Sequence, residues 1–160
     1  MNAGNLFRSG QAFGASFLFT IAASYPSRGA LSDTSRSARS IPLYEYPDVE
    51  SLALPEGCRL VGVEFRDDAE VLPSFRHPVQ AAYVLGPERG ALSPALAARC
   101  EHLVRIPTAF CVNVATAGAI VMYDRLLTHG RFAERPVSTL AAPVAPPPHV
   151  QGGQKRRTKP

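Results

Sequence analysis

The sequence predicts an α/β fold with a mainly parallel sheet flanked by helices, and three observations carry that expectation. Short runs of β-branched and aromatic residues alternate with helix-like stretches across residues 1–140. Those runs are apolar on both faces, as strands covered by helices on either side must be. The chain of 160 residues, 46% apolar and 19% charged, is long enough for one domain with a proper core.

The elements follow in order. Asn5 to Phe13 reads as a helix and Phe17 to Ile21 as a strand. Val49 to Leu54 reads as a second, short helix. Arg59 to Glu64 and Ala81 to Leu85 are apolar runs bounded by turn residues, and Leu103 to Ile106 is a shorter one that stops at Pro107. Ser93 is an N-cap with Pro94 in the first helical position, opening a helix to Arg99. The longest helix runs from Asn113 to His129 and is closed by Gly130. It is built of small and apolar residues until Asp124, which predicts burial, partly in a dimer interface. Residues 141–160 cluster Pro and Gly without apolar periodicity and read as a flexible tail separate from a 1–140 domain.

Charge divides along the same boundary. The net charge of +4 belongs to the tail, with Lys155, Arg156, Arg157 and Lys159 and no acid. Residues 1–140 hold 13 Arg, no Lys and 13 acids, so the body is neutral and has no bulk charge for nucleic acid. The tail reads as a solvated extension rather than an electrostatic RNA tether. No apolar run approaches the ~20 residues of a bilayer span, and Met1 to Asn5 lack the pattern of a signal peptide. Cys58, Cys100 and Cys111 have neither CxxC nor Cys/His spacing, and the four histidines are scattered, so no metal site is expected. These features predict reduced thiols and a cytoplasmic protein.

Three segments contain residue types that packing alone does not require. In Asn2-x-Gly4-Asn5-x-x-Arg8-Ser9, Arg8 presents a bidentate fork suited to phosphate or carboxylate, against a plain reading of N-capping plus a surface Arg. Leu85-Gly86-Pro87-Glu88-Arg89-Gly90 joins a buried strand to a helix at the carboxyl edge of a sheet, where ligands collect in open α/β folds. It is neither GxGxxG nor a P-loop, which disfavours a nucleotide-binding oxidoreductase. Asn113 heads an apolar helix whose first amides lack partners, so N-cap and functional roles are both open.

Taken together, Asn2–Ser9, Leu85–Ser93 and Ile106-Pro107 with Cys111–Ala115 and Ala119–Asp124 resemble, in order, the three motifs of a known family. It is the SpoU-type (TrmH-like) RNA ribose 2′-O-methyltransferases of the SPOUT superfamily, and the resemblance spans Asn2 to about Leu127. It implies a C-terminal deep trefoil knot, a homodimer and S-adenosylmethionine as cofactor, with RNA as substrate, tRNA ahead of rRNA because small relatives without an added RNA-binding domain often act on tRNA. By position, Val63, Leu85, Gly86, Ile106, Cys111 and Val112 would hold the cofactor, largely through backbone. Arg8, Glu88 and Asn113 fall on active-site positions, supported by Asn2. Guanidinium is always protonated, so Arg8 is expected to bind a phosphate and stabilise developing alkoxide charge rather than act as base.

The sequence departs from the family in three places. The strand that usually precedes the first motif is absent from this sequence, which would leave neighbouring strand edges unpaired. Cys111 replaces the usual Ser, and the stretch from Ile106 to Cys111 is shortened. A rival reading is a non-catalytic knotted RNA-binding module, against which the trio Arg8, Glu88 and Asn113 counts.

Overall fold

The computed structural model describes residues 2–23, 41–87, 90–130 and 132. Among the described residues three α-helices, α1 (Asn2–Ala12), α2 (Pro94–Arg99) and α3 (Val114–His129), combine with six strands. The strands are β1 (Leu18–Ile21), β2 (Leu43–Tyr46), β3 (Arg59–Val63), β4 (Glu70–Val71), β5 (Ala81–Leu85) and β6 (His102–Arg105). Glu88 and the tail from 141 onward lie outside the described residues.

Among the described residues the strands form two sheets, and every pairing is parallel. β1 pairs with β2 from Leu18↔Leu43 to Ile21↔Tyr46. The larger sheet has the order β4-β6-β3-β5, with Val63 opposite both Leu85 and Val104. β3 is its centre: Leu60 to Val63 are buried and only Arg59 is exposed, as the two-faced apolar run predicts. Gly62 is required by close approach, since a Cβ there would lie 2.6 Å from Leu103 Cδ2 and 2.9 Å from Leu92 Cδ1. Strand alternation divides the core by face. Val61, Val63 and Val104 pack with Leu72, Phe75, Ala117 and Val121; Leu60, Ala82 and Val84 pack with Leu52, Leu92 and Leu96. Among the described residues β1 and β5 each carry an edge with no partner strand, and Phe17, Phe19, Ala81 and Tyr83 line an apolar cavity of about 680 Å³ that α1 and α3 also border.

The structure corrects several boundaries. α1 starts at Asn2 rather than Asn5, so Gly4 and Asn5 lie inside the helix. It ends in a Schellman motif, with Ala15 N–H donating to Gly10 O at 2.8 Å, Gly14 N–H donating to Gln11 O at 3.0 Å, and Gly14 at φ +75°. Val49 to Leu54 do not form a helix. The Asp48 carboxylate accepts the Ser51 N–H at 2.7 Å, closing a local turn, while the Arg99 guanidinium donates to the carbonyls of Val49 and Leu52 that a helix would have used. The run at 103–106 is shifted by one residue, to 102–105. β2 and β4 were not predicted: the first is half exposed and the second is two residues long.

α3 is capped as expected by Asn113, and Gly130 N–H returns to Leu126 O at 2.7 Å. Gly130 sits at φ −75°, so the left-handed region is not what demands glycine; a Cβ would collide with the Phe132 ring. Burial covers one face of α3 only, through Ala115, Ala117, Gly118 and Val121, while Tyr123 and Leu127 stay 48% and 40% exposed.

The C-terminal half of α3 is tied to the sheet by a buried polar network. His77 is buried, with Nδ1 2.6 Å from the Tyr83 hydroxyl and Nε2 2.9 Å from Asp124 Oδ2. A neutral imidazole satisfies both, donating from Nε2 and accepting at Nδ1. Arg125 donates to the carbonyls of Pro78 and Val79, each at 2.6 Å. Burial pushes the His77 imidazole below its usual range, against the opposing pull of Asp124. The unfolded chain therefore takes up the proton first, and stability falls as pH drops below about 6.5. Denaturant unfolding between pH 7 and pH 5 should show this loss, and His77→Gln should flatten it; an unchanged slope in the variant would contradict the role of His77.

Candidate active site

The parallel pairing of β3 with β5 and β6 gathers three carboxyl ends at one edge of the sheet. Each strand leads into a loop there, and the loops enclose a cleft of about 330 Å³. Val63, Glu64 and Phe65 enter from β3; Leu85, Gly86, Pro87 and Gly90 from β5; Arg105, Ile106 and Thr108 from β6. The fourth wall is the start of α3, with Cys111, Val112 and Asn113. Ligands of open α/β sheets collect at such an edge.

All six residues assigned to the cofactor by sequence, Val63, Leu85, Gly86, Ile106, Cys111 and Val112, line this cleft, and Asn113 joins them. Arg8 does not. It is exposed on α1 and is absent from the cleft's walls. Asn2 is the first residue of α1.

The loops have defined causes. Gly86 abuts the returning chain, where a Cβ would meet Leu92 N at 3.2 Å and Ala91 C at 3.3 Å. Gly90 sits at φ +116°, a backbone conformation that an L side chain resists. After β6, Pro107 is the centre of a tight turn in which Thr108 N–H donates to Ile106 O at 2.8 Å. The Thr108 hydroxyl then donates to Phe110 O at 2.8 Å, fixing the approach to Cys111. Asn113 Oδ1 accepts the Ala115 N–H at 2.9 Å, so its capping role is realised and its amide nitrogen is left as the group that can serve a ligand.

Sequence reasoning missed two charged residues in the cleft. Glu64 Oε2 accepts the Leu92 N–H at 2.7 Å and Oε1 accepts the Phe65 N–H at 3.1 Å. The carboxylate thus staples the end of β3 to the chain returning from the Gly86 loop. Arg105, at the end of the adjacent strand β6, also lines the cleft, and its Nε is buried with no hydrogen-bond partner among the described residues. The available signal was a charged residue at the end of each apolar strand, where a side chain leaves the core for the sheet edge. The three cysteines are unpaired. Burial pushes the Cys100 thiol up to about 11, and Cys100 Sγ donates to Leu96 O at 3.2 Å. No group of three or more His, Cys, Asp and Glu residues arranged for a metal occurs among the described residues, nor does a helix long and apolar enough to cross a membrane.

The family model described as the SpoU rRNA Methylase family matches residues 1–123. The chain belongs to this family. A search of curated proteins finds no match. Among solved structures, the SpoU methyltransferase AviRb from Streptomyces viridochromogenes in complex with AdoMet is 23% identical, with a TM-score of 0.66 over 79% of this chain and 55% of that one. An AdoMet-bound rRNA methyltransferase from Sinorhizobium meliloti is 22% identical, with a TM-score of 0.70 over 80% and 52%. An RNA 2′-O ribose methyltransferase is 22% identical, with a TM-score of 0.65 over 79% and 51%. These likenesses establish the SpoU fold, and the chain spans about half the length of each of the three proteins.

The capping role of Asn113 can be tested on its own. Asn113→Ser keeps an N-cap acceptor and should leave unfolding within a few tenths of a kcal/mol of wild type, whereas Asn113→Ala should lose about 1 kcal/mol. Equal losses in denaturant titrations of the two variants would show that the cap is not what Asn113 contributes to stability.

Proposed function

We propose that this chain is an S-adenosylmethionine-dependent RNA methyltransferase that transfers a methyl group to a ribose 2′-hydroxyl, with tRNA the first substrate to assay and rRNA the second. The observation that carries the reading is the convergence of all six sequence-assigned cofactor residues, with Asn113, in one cleft at the carboxyl ends of β3, β5 and β6. The cleft fits the cofactor on its own terms. Its volume of about 330 Å³ falls at the lower end of small-molecule sites, its walls mix apolar and polar groups in similar measure, and Gly86 lets the returning chain at Ala91 and Leu92 close tightly on the loop that borders it.

When bound, the cofactor supplies an electrophilic methyl on a sulfonium. The chain's own residues then do the work of alignment, which dominates an in-line transfer. The backbone of Leu85, Gly86, Ile106 and Val112 holds the donor, and the amide nitrogen of Asn113 orients the ribose. Arg8 binds the neighbouring phosphate and stabilises charge developing on the 2′-oxygen, with Glu88 orienting it. Arg8 lies outside the cleft of its own subunit, so the reading includes a homodimer that brings a second α1 to the site; the exposed Tyr123 and Leu127 of α3 are available for such a contact. The C-terminal trefoil knot belongs to the same reading.

Titration calorimetry with S-adenosylhomocysteine should show one site per chain, and tRNA incubated with S-adenosylmethionine should acquire a 2′-O-methyl. Arg8→Ala should lose ~100-fold in turnover at saturating RNA while S-adenosylhomocysteine affinity stays unchanged. Absence of both heat and a thermal shift would overturn the reading in favour of a binding module.

A further inference from the structure

Among the described residues two charged side chains line the cleft, and only one of them is engaged. Both Glu64 oxygens accept main-chain N–H groups, from Leu92 and Phe65. Arg105, the last residue of β6, is half-buried beside Ile106 on the strand adjacent to Glu64, and its Nε has no partner among the described residues. Its guanidinium forms no ion pair or hydrogen bond among the described residues. The register of the sheet holds it in place, since Arg105 stands opposite Val71 of β4 and follows the fully buried Val104. A guanidinium cannot shed its charge to relieve burial, and an orphaned N–H of a charged group is costly to leave unmade. An anionic oxygen entering the cleft removes that cost, and the planar fork offers two parallel donors to it.

We propose that Arg105 is the anion contact of this cleft, binding a carboxylate or phosphate oxygen that the ligand carries. The proposal rests on the reading of the cleft as a methyl-donor site. Two groups there share the required chemistry: the carboxylate of the cofactor's amino-acid portion and a backbone phosphate beside the reacting ribose. Glu64 directly follows the neighbouring strand β3, but its two oxygens accept the Leu92 and Phe65 N–H groups and it forms no ion pair with Arg105 among the described residues.

Three proteins decide it: wild type, Arg105→Gln and the charge-preserving Arg105→Lys, each first shown to unfold cooperatively. Each is titrated calorimetrically with S-adenosylhomocysteine and with 5′-methylthioadenosine, which keeps the nucleoside and lacks the carboxylate. Each is also titrated with tRNA at two salt concentrations. If the anion is the carboxylate, Arg105→Gln weakens S-adenosylhomocysteine by ~10-fold or more, leaves methylthioadenosine unchanged, and Arg105→Lys restores part of the loss. If it is a phosphate, both nucleosides bind the variant as they bind wild type, while RNA affinity falls and its salt slope drops by about one. Equal binding of all three ligands by wild type and Arg105→Gln overturns the proposal. If wild type fails to bind S-adenosylhomocysteine, the cofactor reading is what falls, and the RNA titration still decides Arg105.

Discussion

The pairing of β3 with β5 on one side and β6 on the other is the constraint on which the rest of the molecule depends. Because both pairings are parallel and Val63 stands opposite Leu85 and Val104, three strand ends arrive together and three loops open on the same side. Close packing enforces the arrangement: Gly62 lets Leu103, Leu92 and Cys100 approach the strand to within side-chain distance of its backbone. The α3 N-terminus then closes the fourth side, fixed by the Asn113 cap and by packing of Ala117 and Val121 on the same core. A cleft walled by three strand-end loops and the start of a helix is the consequence.

The two polar devices near this frame do different work. Glu64 spends both oxygens on main-chain amides, which ties the Gly86 loop to β3 and makes the loop geometry a property of the sheet. The His77 network lies further along, joining Asp124 of α3 to Tyr83 of β5. It secures the C-terminal half of the helix whose N-terminal end borders the cleft. Burial is what keeps His77 neutral and the Tyr83 hydroxyl protonated, so the network is strongest where both groups are uncharged.

Much of this was legible in the sequence, and the failures have identifiable causes. β5 was predicted to the residue because Ala81 to Leu85 is an apolar run between turn formers, and the Ser93 and Asn113 caps were legible because their acceptors must meet orphaned amides. Motif order singled out Val63, Leu85, Gly86, Ile106, Cys111 and Val112, and the sheet brings these six to one cleft, although no single motif would have placed them together. β2 and β4 were not, because pairing rather than propensity creates a half-exposed run beside Pro42 and a two-residue edge strand. The supposed helix at Val49 failed because a distant side chain, Arg99, claims its carbonyls, a contact no local pattern encodes. Glu64 and Arg105 were overlooked because each reads in sequence as an ordinary strand-end charge, and only the register shows that they face one space.

The central claim is that the cleft at the ends of β3, β5 and β6, and not the larger apolar cavity beside β1 and β5, receives the methyl donor. Amide hydrogen exchange with and without S-adenosylhomocysteine tests it most directly. The account predicts slowed exchange confined to residues 63–65, 85–92 and 106–115, with β1 and the first turns of α1 unchanged. Protection concentrated around Phe17–Phe19 and Ala81–Tyr83, or none in the three loops, would contradict it.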